Sequence, residues 1–316
     1  MTPIRVAVIG GGRNCEHDVS LASAAAVADA LDQAGHHAVR LTIDPAGVWR
    51  DGEGQPIGLA AAVDVLRSCA VAFPVLHGPR GEDGTLAALC GLADVPCVGS
   101  PLGAGALAMD KWATKLVAGA LGIAAAPARL LTRAEARSYA FTHPVVVKPV
   151  AAGSSHGVTL VGEAAALGPA LEAAFAHDHR VLVEEVMTGR EIDVAVLGRP
   201  DGSRVVAPPL EILVPDGRIF DHAAKYGGPP AFVVPAPLDE VARKQIEQAA
   251  VSMYDALGCA GVVRVDFFLT AHGPVLNEVN TTPGFTAQSQ VPRMFAAAGT
   301  PFGALLDLLV RDALPA

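Results

Sequence analysis

Residues 261–280 read GVVRVDFFLTAHGPVLNEVN, two apolar runs that each carry polar residues at alternate positions. We predict two neighbouring strands, in which side chains two residues apart share one face. Arg264 therefore lies beside Asp266 on the first strand. Glu278 lies beside Asn280 on the second. Charges in strands that are otherwise apolar need partners or a metal ion, and these oxygen donors suit Mg²⁺ with bound phosphates. An ordinary charged strand surface is the alternative.

A second polar region follows the apolar run PVVVKP at residues 144–149, which carries Lys148 near its end. Residues 151–157, AAGSSHG, are predicted to form a small-residue loop between two paired strands. A lysine beside a loop rich in backbone N–H groups can bind phosphate, although this sequence is not a Walker A motif. Three other charged residues, taken singly, would be expected to be solvated: Lys111, Glu184 and Glu191.

A glycine run at residues 10–12 follows the first predicted strand. A dinucleotide-binding fingerprint would need a third glycine where Cys15 stands. Three interpretations stay open: a dinucleotide site, a tight turn, or a turn whose N–H groups bind a carboxylate or phosphate of another ligand. Glu16 would repel a pyrophosphate but could receive a substrate ammonium group.

Composition narrows the class of protein. The chain has 316 residues and a net charge of −9, which argues against a nucleic-acid-binding surface. It has no run of 18 apolar residues and no signal-peptide pattern, so no membrane span is expected. The five cysteines lack CxxC spacing and are expected to be reduced thiols of a cytoplasmic protein. Lysines are few: Lys111, Lys115, Lys148, Lys225 and Lys244.

The predicted elements suggest three domains, at residues 1–103, 104–186 and 187–316. The first has predicted strands at 4–9, 38–43, 70–76 and 96–99 and helices at 18–33 and 85–92, an alternation typical of a mostly parallel sheet. The second is predicted to be a small α+β domain, with helices at 104–122 and 163–177 and strands at 128–131, 144–149, 158–161 and 181–186. The third has predicted strands at 191–197, 205–213, 261–269 and 274–280 and helices at 238–257 and 302–314.

Together these segments resemble the D-alanine–D-alanine ligase family of ATP-grasp enzymes. The residues that carry the resemblance are GGGRNCEHDVS (10–20), LHGPRGEDGT (76–85), MDK (109–111), VVVKPVAAGSSHGV (145–158), VLVEEVMTGREIDVAVLG (181–198), FDHAAKY (220–226), RVDFFL (264–269) and NEVNTTPGFTAQSQVP (277–292). They span nearly the whole chain. The resemblance implies an α/β structure, with an ATP-grasp fold preceded by an N-terminal parallel-sheet domain that binds substrate.

The resemblance also implies a reaction. ATP would phosphorylate the carboxylate of one D-alanine, and the amine of a second would attack the acyl phosphate, giving the dipeptide for peptidoglycan, ADP and phosphate. Charge neutralisation and positioning would then dominate catalysis. Two Mg²⁺ ions, with Mn²⁺ as a substitute, would bridge the phosphates. A cytoplasmic homodimer that binds no nucleic acid or membrane is implied as well.

The same resemblance implies binding and catalytic roles for individual residues of this chain. Those implied to bind ATP are Lys111, Lys148, Ser154, Ser155, Glu184, Glu185, Glu191 and Lys225. Those implied to hold Mg²⁺ are Asp266, Glu278 and Asn280. Those implied to bind the amino acids are Glu16, His77, Ser289 and Gln290. Those implied to act in catalysis are Glu16, Ser154, Tyr226, Arg264 and Gly284.

Some positions depart from the family pattern. Gln290 stands where the family usually has leucine beside the second amino acid. Its side chain is expected either to turn to solvent or to favour a polar acceptor such as D-serine in a specialised or resistance pathway. Glu185 replaces a common lysine, whereas Tyr226 matches relatives that use an amine acceptor. Lys115 and Lys244 have no assigned role and are expected to face solvent.

Two other classes of protein remain as alternatives. The glycine run at residues 10–12 would suit a nicotinamide-dependent oxidoreductase, although the missing third glycine argues against it. A non-catalytic nucleotide-binding regulator would not need Arg264, Asp266, Glu278 and Asn280 together.

Overall fold

The computed structural model describes residues 2–213 and 231–315, so Lys225 and Tyr226 lie outside the described residues. The strands are β1 (Arg5–Gly11), β2 (His37–Ile43), β3 (Trp49–Arg50), β4 (Val71–Pro74), β5 (Ala124–Ala125), β6 (Ala128–Thr132), β7 (Val145–Pro149), β8 (Thr159–Val161), β9 (Arg180–Glu185), β10 (Arg190–Gly198), β11 (Arg204–Val206), β12 (Leu210–Leu213), β13 (Ala231–Val233), β14 (Val262–Thr270) and β15 (Gly273–Asn280). The helices are α1 (His17–Gln33), α2 (Gly58–Arg67), α3 (Thr85–Leu92), α4 (Leu102–Met109), α5 (Lys111–Ala120), α6 (Arg133–Ala136), α7 (Ala164–Phe175), α8 (Glu240–Ala256), α9 (Gln290–Ala297) and α10 (Phe302–Asp312).

The N-terminal sheet has the order β3-β2-β1-β4, in which β2 and β4 run parallel to β1. Alternate residues of β1 pack on opposite faces: Val6 and Val8 join the core that contains α1, while Ala7 and Ile9 join the core of α2 and α3. A strand covered on both faces is nearly all apolar, as this one is. The mostly parallel sheet is therefore confirmed, with β3 as an antiparallel edge.

The glycine run turns the chain from β1 into α1. A Cβ on Gly10 would lie 2.5 Å from the Cβ of Ala24, and one on Gly11, which has φ +86°, would lie 2.2 Å from the carbonyl oxygen of Ile43. Glycine is needed here for close packing of backbone, which supports the tight-turn interpretation.

The middle sheet is antiparallel, in the order β6-β9-β7-β8. Val145 and Val147 of β7 pack against α7 on one face. Because side chains alternate along a strand, Lys148 projects from the other face. Lys148 pairs with Leu182 of β9, and Val146 pairs with Glu184, so Lys148 and Glu184 are diagonal neighbours on that face.

The largest sheet has the order β13-β12-β10-β14-β15-β5, with β11 paired to β10. On one face of this sheet, apolar side chains of β10 and β14 pack on α8. Register places Asp193 of β10 opposite Asp266 of β14, and Asp266 opposite Glu278 of β15. Three neighbouring strands therefore bring carboxylates together on the face away from α8.

Three sequence predictions about elements were wrong. The helix expected at residues 104–122 is two helices, because Asp110 (φ −83°, ψ 98°) leaves the helical conformation between α4 and α5. The strand expected at 205–213 is interrupted, because Pro208 and Pro209 cannot donate ladder hydrogen bonds. The strand expected at 96–99 is only a bridge between Ala72 and Cys97. Helix α9 was not predicted.

Within the described ranges, no single helix is both long and apolar enough to cross a membrane. Helices α9 and α10, which are bent by 101° relative to each other, are together long and apolar enough by length and composition alone. The five cysteines are free thiols.

Candidate active site

The three sheets surround a cleft of about 1020 Å³. Every predicted site residue within the described ranges lines it: Glu16, His77, Lys111, Lys148, Ser154, Ser155, Glu184, Glu185, Glu191, Arg264, Asp266, Glu278, Asn280, Gly284, Ser289 and Gln290. The glycine run at residues 10–12 does not line the cleft. These distant segments therefore meet in one cleft, and the roles of their residues remain predictions.

Lys148 and Glu184 line one region of the cleft, and Lys115 contacts Glu184 there; we call these three residues the lysine end. The ammonium of Lys148 lies 2.8 Å from one oxygen of Glu184, and that of Lys115 lies 2.9 Å from the other. Burial alone would raise the pKa of Glu184, but Lys148 and Lys115 outweigh it and hold the pKa below its ordinary value. Glu184 is therefore a buried carboxylate that stays ionised at neutral pH.

The prediction that Lys115 faces solvent was wrong, because only 8% of its side chain is exposed. Lys111 and Lys115 are one helical turn apart on one face of α5, and they contact Glu278 and Glu184, which both line the cleft. Lys111 and Glu184 are buried too, which overturns the single-residue expectation of solvated charges. Lys244, in contrast, is exposed and pairs with Glu240 on α8, as predicted for it.

Asp110 sets the position of α5. One of its carboxylate oxygens accepts from the backbone N–H groups of Trp112 and Ala113, each at 2.9 Å, which caps the helix. The other oxygen accepts from Arg180 of β9 at 2.6 Å. The cap therefore fixes both where α5 begins and how it is placed against the middle sheet.

A second region, which we call the acidic end, consists of Asp193, Arg264, Asp266, Glu278 and Asn280. Arg264 donates two hydrogen bonds of 2.7 Å to the two oxygens of Asp266 and lies 3.4 Å from Asp193. Burial would lower the pKa of Arg264, but Asp266 and Asp193 raise it above its ordinary value. Burial and Asp266 raise the pKa of Asp193 well above its ordinary value.

The predicted metal ligands are adjacent at the acidic end. Asn280 donates to Asp266 at 3.0 Å, and the carboxylate of Glu278 lies 3.2 Å from Lys111. Across the part of the chain that the structure describes, no group of three or more His, Cys, Asp or Glu side chains has a metal-binding arrangement. Two carboxylates and one amide nevertheless fit Mg²⁺, which takes few protein ligands and completes its shell with water and phosphate oxygens.

The wall formed by the N-terminal domain carries Glu16 and His77. Ser154, from the loop after β7, donates a hydrogen bond to Glu16. Asn14 joins the two segments, because it accepts from the backbone N–H of Glu16 at 2.9 Å and donates to the carbonyl of His77 at 2.7 Å. Burial lowers the pKa of His77, so its imidazole is neutral at pH 7. A ring nitrogen of His77 lies 2.9 Å from the carbonyl oxygen of Thr282.

Ser289 and Gln290 begin helix α9. The hydroxyl of Ser289 accepts from the backbone N–H of Thr286 at 3.1 Å. Gln290 accepts from Arg264 at 2.6 Å and donates to Asp193 at 2.7 Å. The expectation that Gln290 turns to solvent was therefore wrong, because its amide bridges two buried charged groups.

Sequence reasoning gave no role to the lining residues Glu82, Asp193 and Asn277, nor to Lys115, which contacts the lining residue Glu184. Burial and the nearby Glu16 raise the pKa of Glu82 to about 8, so this carboxyl is mostly protonated at pH 7. Two of them could have been found from their spacing to a residue that was predicted. Asp193 lies two residues after Glu191 on one strand, and Lys115 lies four residues after Lys111 on one helix.

Comparisons with known proteins agree with this geometry. Residues 5–100 match the family described as D-ala D-ala ligase N-terminus, and residues 120–311 match D-ala D-ala ligase C-terminus. The D-alanine–D-alanine ligase of Nocardia farcinica is 40% identical, over 98% of this chain and 97% of the relative. That of Rhodococcus jostii is 39% identical, over 98% and 96%.

Solved structures are also similar. The VanG D-Ala:D-Ser ligase of Enterococcus faecalis has a TM-score of 0.83 and 35% identity, with 99% of this chain and 100% of that chain covered. The D-alanine–D-alanine ligase of Coxiella burnetii has a TM-score of 0.81 and 29% identity, with 99% and 94% covered. The expected ATP-grasp fold with an N-terminal parallel-sheet domain is confirmed, and the chain belongs to the D-alanine–D-alanine ligase family of ADP-forming ligases.

Proposed function

We propose that this chain joins two D-alanines with ATP, through a D-alanyl phosphate, to give the dipeptide used in peptidoglycan synthesis. The observation that carries the proposal is the meeting of three different chemical environments in one cleft. The lysine end suits a nucleotide, the acidic end suits a magnesium-bound phosphoryl group, and Glu16 suits a substrate ammonium. An oxidoreductase or a regulator has no need for this combination, and the shared family of ligases argues against both.

ATP would lie along the cleft. Lys148 and Lys111 would contact its phosphates, with Ser154 and Ser155 in the loop that covers them. Glu184 would face the adenine, with Glu185 at its edge, and Glu191 would meet the ribose hydroxyls. Ser154 and Ser155 have φ values of +46° and +56°, a rare conformation for residues other than glycine that often marks a ligand loop. Lys225, in the segment outside the described residues, is proposed to close the site.

Asp266, Glu278 and Asn280 would hold two Mg²⁺ ions, or Mn²⁺ in their place. When bound, these ions neutralise the charge on the phosphate oxygens. Arg264 has donors left beyond those that bind Asp266 and Gln290, because a guanidinium carries five N–H groups. We propose that the remaining donors stabilise the phosphoryl group in transfer and then the oxyanion of the tetrahedral intermediate.

The amino acids would bind against the N-terminal wall. Glu16 would receive the ammonium of the first D-alanine, and the neutral His77 would lie near its carboxylate. Ser289 would bind the carboxylate of the second, with the backbone N–H of Gly284 directed at the oxyanion. A Cβ on Gly284 would lie 3.1 Å from the hydroxyl of Ser289, so glycine keeps this approach open. Tyr226 is proposed to exclude water from the acyl phosphate.

The test is turnover by the purified chain with ATP, Mg²⁺ and D-alanine. We expect phosphate and D-alanyl-D-alanine in equal amounts, each dependent on D-alanine. The variant Glu278→Gln keeps the shape of the side chain and should lose turnover. Binding of ATP without any dipeptide, at saturating D-alanine, would contradict the proposal.

A second candidate activity uses D-serine as the acceptor. It is favoured by Gln290, which brings hydrogen-bonding groups to the helix that begins beside Ser289. A structural neighbour with 35% identity is called a D-Ala:D-Ser ligase. Competition between D-alanine and D-serine for the second position decides between them. D-alanine should give the higher kcat/KM, and a preference of more than tenfold for D-serine would favour the second candidate.

We also propose that the chain works as a cytoplasmic homodimer with domains at residues 1–103, 104–186 and 187–316. Each proposed domain contributes one sheet to the cleft. Helices α4 and α5 and strand β5 pack on the sheet of the third domain, since β5 pairs with β15. Light scattering on the purified chain measures the oligomeric state, and a monomer at working concentration would contradict the dimer.

A further inference from the structure

The lysine end carries more positive charge than its carboxylate can balance. The side chains of Lys115, Lys148 and Glu184 are only 8%, 6% and 6% exposed, so water does little to screen them. Among the described residues, the other hydrogen bonds of the two ammonium groups are to neutral oxygens. Lys115 donates to the carbonyl of Ala126 at 2.9 Å, and Lys148 lies 3.5 Å from the amide oxygen of Asn277.

The two lysines differ in what surrounds them. Lys148 lies at the end of β7, next to the loop at residues 151–157, where the proposed function places the ATP phosphates. Lys115 is fixed on α5, and its ammonium is anchored between Glu184 and a backbone carbonyl. A phosphate would therefore attract Lys148, whereas Lys115 would stay where it is.

That difference matters for Glu184. When Lys148 turns to a phosphate, Glu184 loses one of its two cations. A buried carboxylate without a cation is strongly destabilised and would take up a proton. Lys115 remains as its partner, so Glu184 keeps its charge and its direction while ATP is bound.

We propose that Lys115 is a positioning residue for nucleotide binding, which holds Glu184 ionised and aimed at the adenine while Lys148 contacts the phosphates. The inference rests on the proposed function, since it takes the phosphate contact of Lys148 and the adenine contact of Glu184 from there. It assigns a task to a lysine that has none in that proposal. It also explains why an ammonium is buried beside a carboxylate that already has a partner.

The experiment compares Lys115→Met with Lys244→Met. Both variants remove one ammonium from a helix, but Lys244 is an exposed lysine paired with Glu240 on α8. The dissociation constant of AMP-PNP is measured by calorimetry with Mg²⁺, and that of adenosine is measured by competition against a fluorescent nucleotide. Thermal unfolding and circular dichroism report whether each variant is folded.

We expect Lys115→Met to weaken AMP-PNP binding at least tenfold and adenosine binding less than threefold. Adenosine has no phosphate, so Lys148 stays on Glu184 and Lys115 is not needed. Lys244→Met should change neither constant more than twofold. Equal weakening of both ligands by Lys115→Met, or no weakening, would overturn the inference. No AMP-PNP binding by the unaltered chain would overturn the proposed function itself.

A second pair of variants covers the case in which Lys115→Met does not fold. Glu184→Gln removes the carboxylate that Lys115 is proposed to hold. In that background Lys115→Met should change AMP-PNP affinity less than twofold. A further tenfold loss in the double variant would show that Lys115 acts on the nucleotide by another route, and would overturn the inference.

Discussion

The lysine end and the acidic end of the cleft have opposite imbalances of charge. At the lysine end two ammonium groups share the carboxylate of Glu184. At the acidic end the carboxylates of Asp193 and Asp266 share the guanidinium of Arg264. The lysine end would therefore suit an anion, and the acidic end, which also contains Glu278 and Asn280, would suit a cation. The comparison indicates which part of a magnesium–nucleotide each end would receive: the phosphates near Lys148, and the metal ions near Asp266.

The largest expected effect comes from removing the cation of the acidic end. Arg264→Ala leaves Asp193 and Asp266 facing each other and removes the donors proposed for the phosphoryl group. We expect kcat to fall by on the order of 10²-fold or more, as it does when one preorganised charge-stabilising group is lost. Steady-state kinetics measure this, with thermal unfolding as a check on folding. A loss of less than about tenfold would break the assignment of this end to phosphoryl transfer.

A smaller effect is expected at the lysine end from Lys148→Arg. Arginine keeps the charge, but its planar fork cannot replace a compact ammonium between Glu184 and a phosphate. We expect KM for ATP to rise about tenfold, a difference of about 1.4 kcal/mol, with KM for D-alanine nearly unchanged. The matched control is Lys244→Arg, which should be silent. Equal rises in both KM values would contradict the assignment of the ATP phosphates to the lysine end.

Gln290→Leu changes the acidic end without changing its charge. It deletes the hydrogen bonds to Arg264 and Asp193. If the Gln290 amide also contacts the hydroxyl of D-serine, losing that one bond of about 1 kcal/mol should lower the D-serine to D-alanine ratio of kcat/KM about fivefold. Competition between the two acceptors measures this ratio. An unchanged ratio would mean that Gln290 holds Arg264 and Asp193 but does not select the acceptor, which would contradict the second candidate activity.

The last prediction concerns the free energy of unfolding and not turnover, on which we expect the smallest effect. Burial and Glu16 raise the pKa of Glu82 from 4.5 to about 8. The folded chain then holds a proton that the unfolded chain has released, so stability from this group is complete below pH 4.5 and is lost as the pH rises towards about 8. Glu82→Gln should remove a slope of up to about 1.4 kcal/mol per pH unit, measured by urea unfolding across that range. Glu53→Gln is the exposed control. An equal slope in both variants would contradict the raised pKa of Glu82.

The features that could be predicted from the sequence are those that depend on short-range periodicity along the chain. Residues two apart on β14 and β15 were predicted to share a face, and Arg264, Asp266, Glu278 and Asn280 do so. The parallel N-terminal sheet followed from alternating elements and apolar strands. These features depend on local geometry, which a single sequence carries.

The rest depends on packing between distant segments. From the sequence alone, Lys115 would be expected to be an ordinary charged helix residue. In the structure, α5 packs near β9, and the ammonium of Lys115 contacts Glu184. From the sequence alone, Gln290 would be expected to be an exposed polar residue. In the structure, α9 places it between Arg264 and Asp193. The break at Asp110 was not predicted, although aspartate is a common N-cap residue, and the cap and the contact with Arg180 show it in the structure.

Asp110 has a consequence for how sequence variants of this chain are interpreted. Helix α5 carries Lys111 towards Glu278 and Lys115 towards Glu184, so one rigid element serves both ends of the cleft. A change at Asp110 would loosen the start of that helix and move both ammonium groups at once. A variant there would weaken nucleotide affinity and turnover together without touching a substrate, and a genetic screen could mistake it for a ligand-binding residue. It would be recognised by a joint loss of nucleotide affinity and turnover at a residue that does not line the cleft.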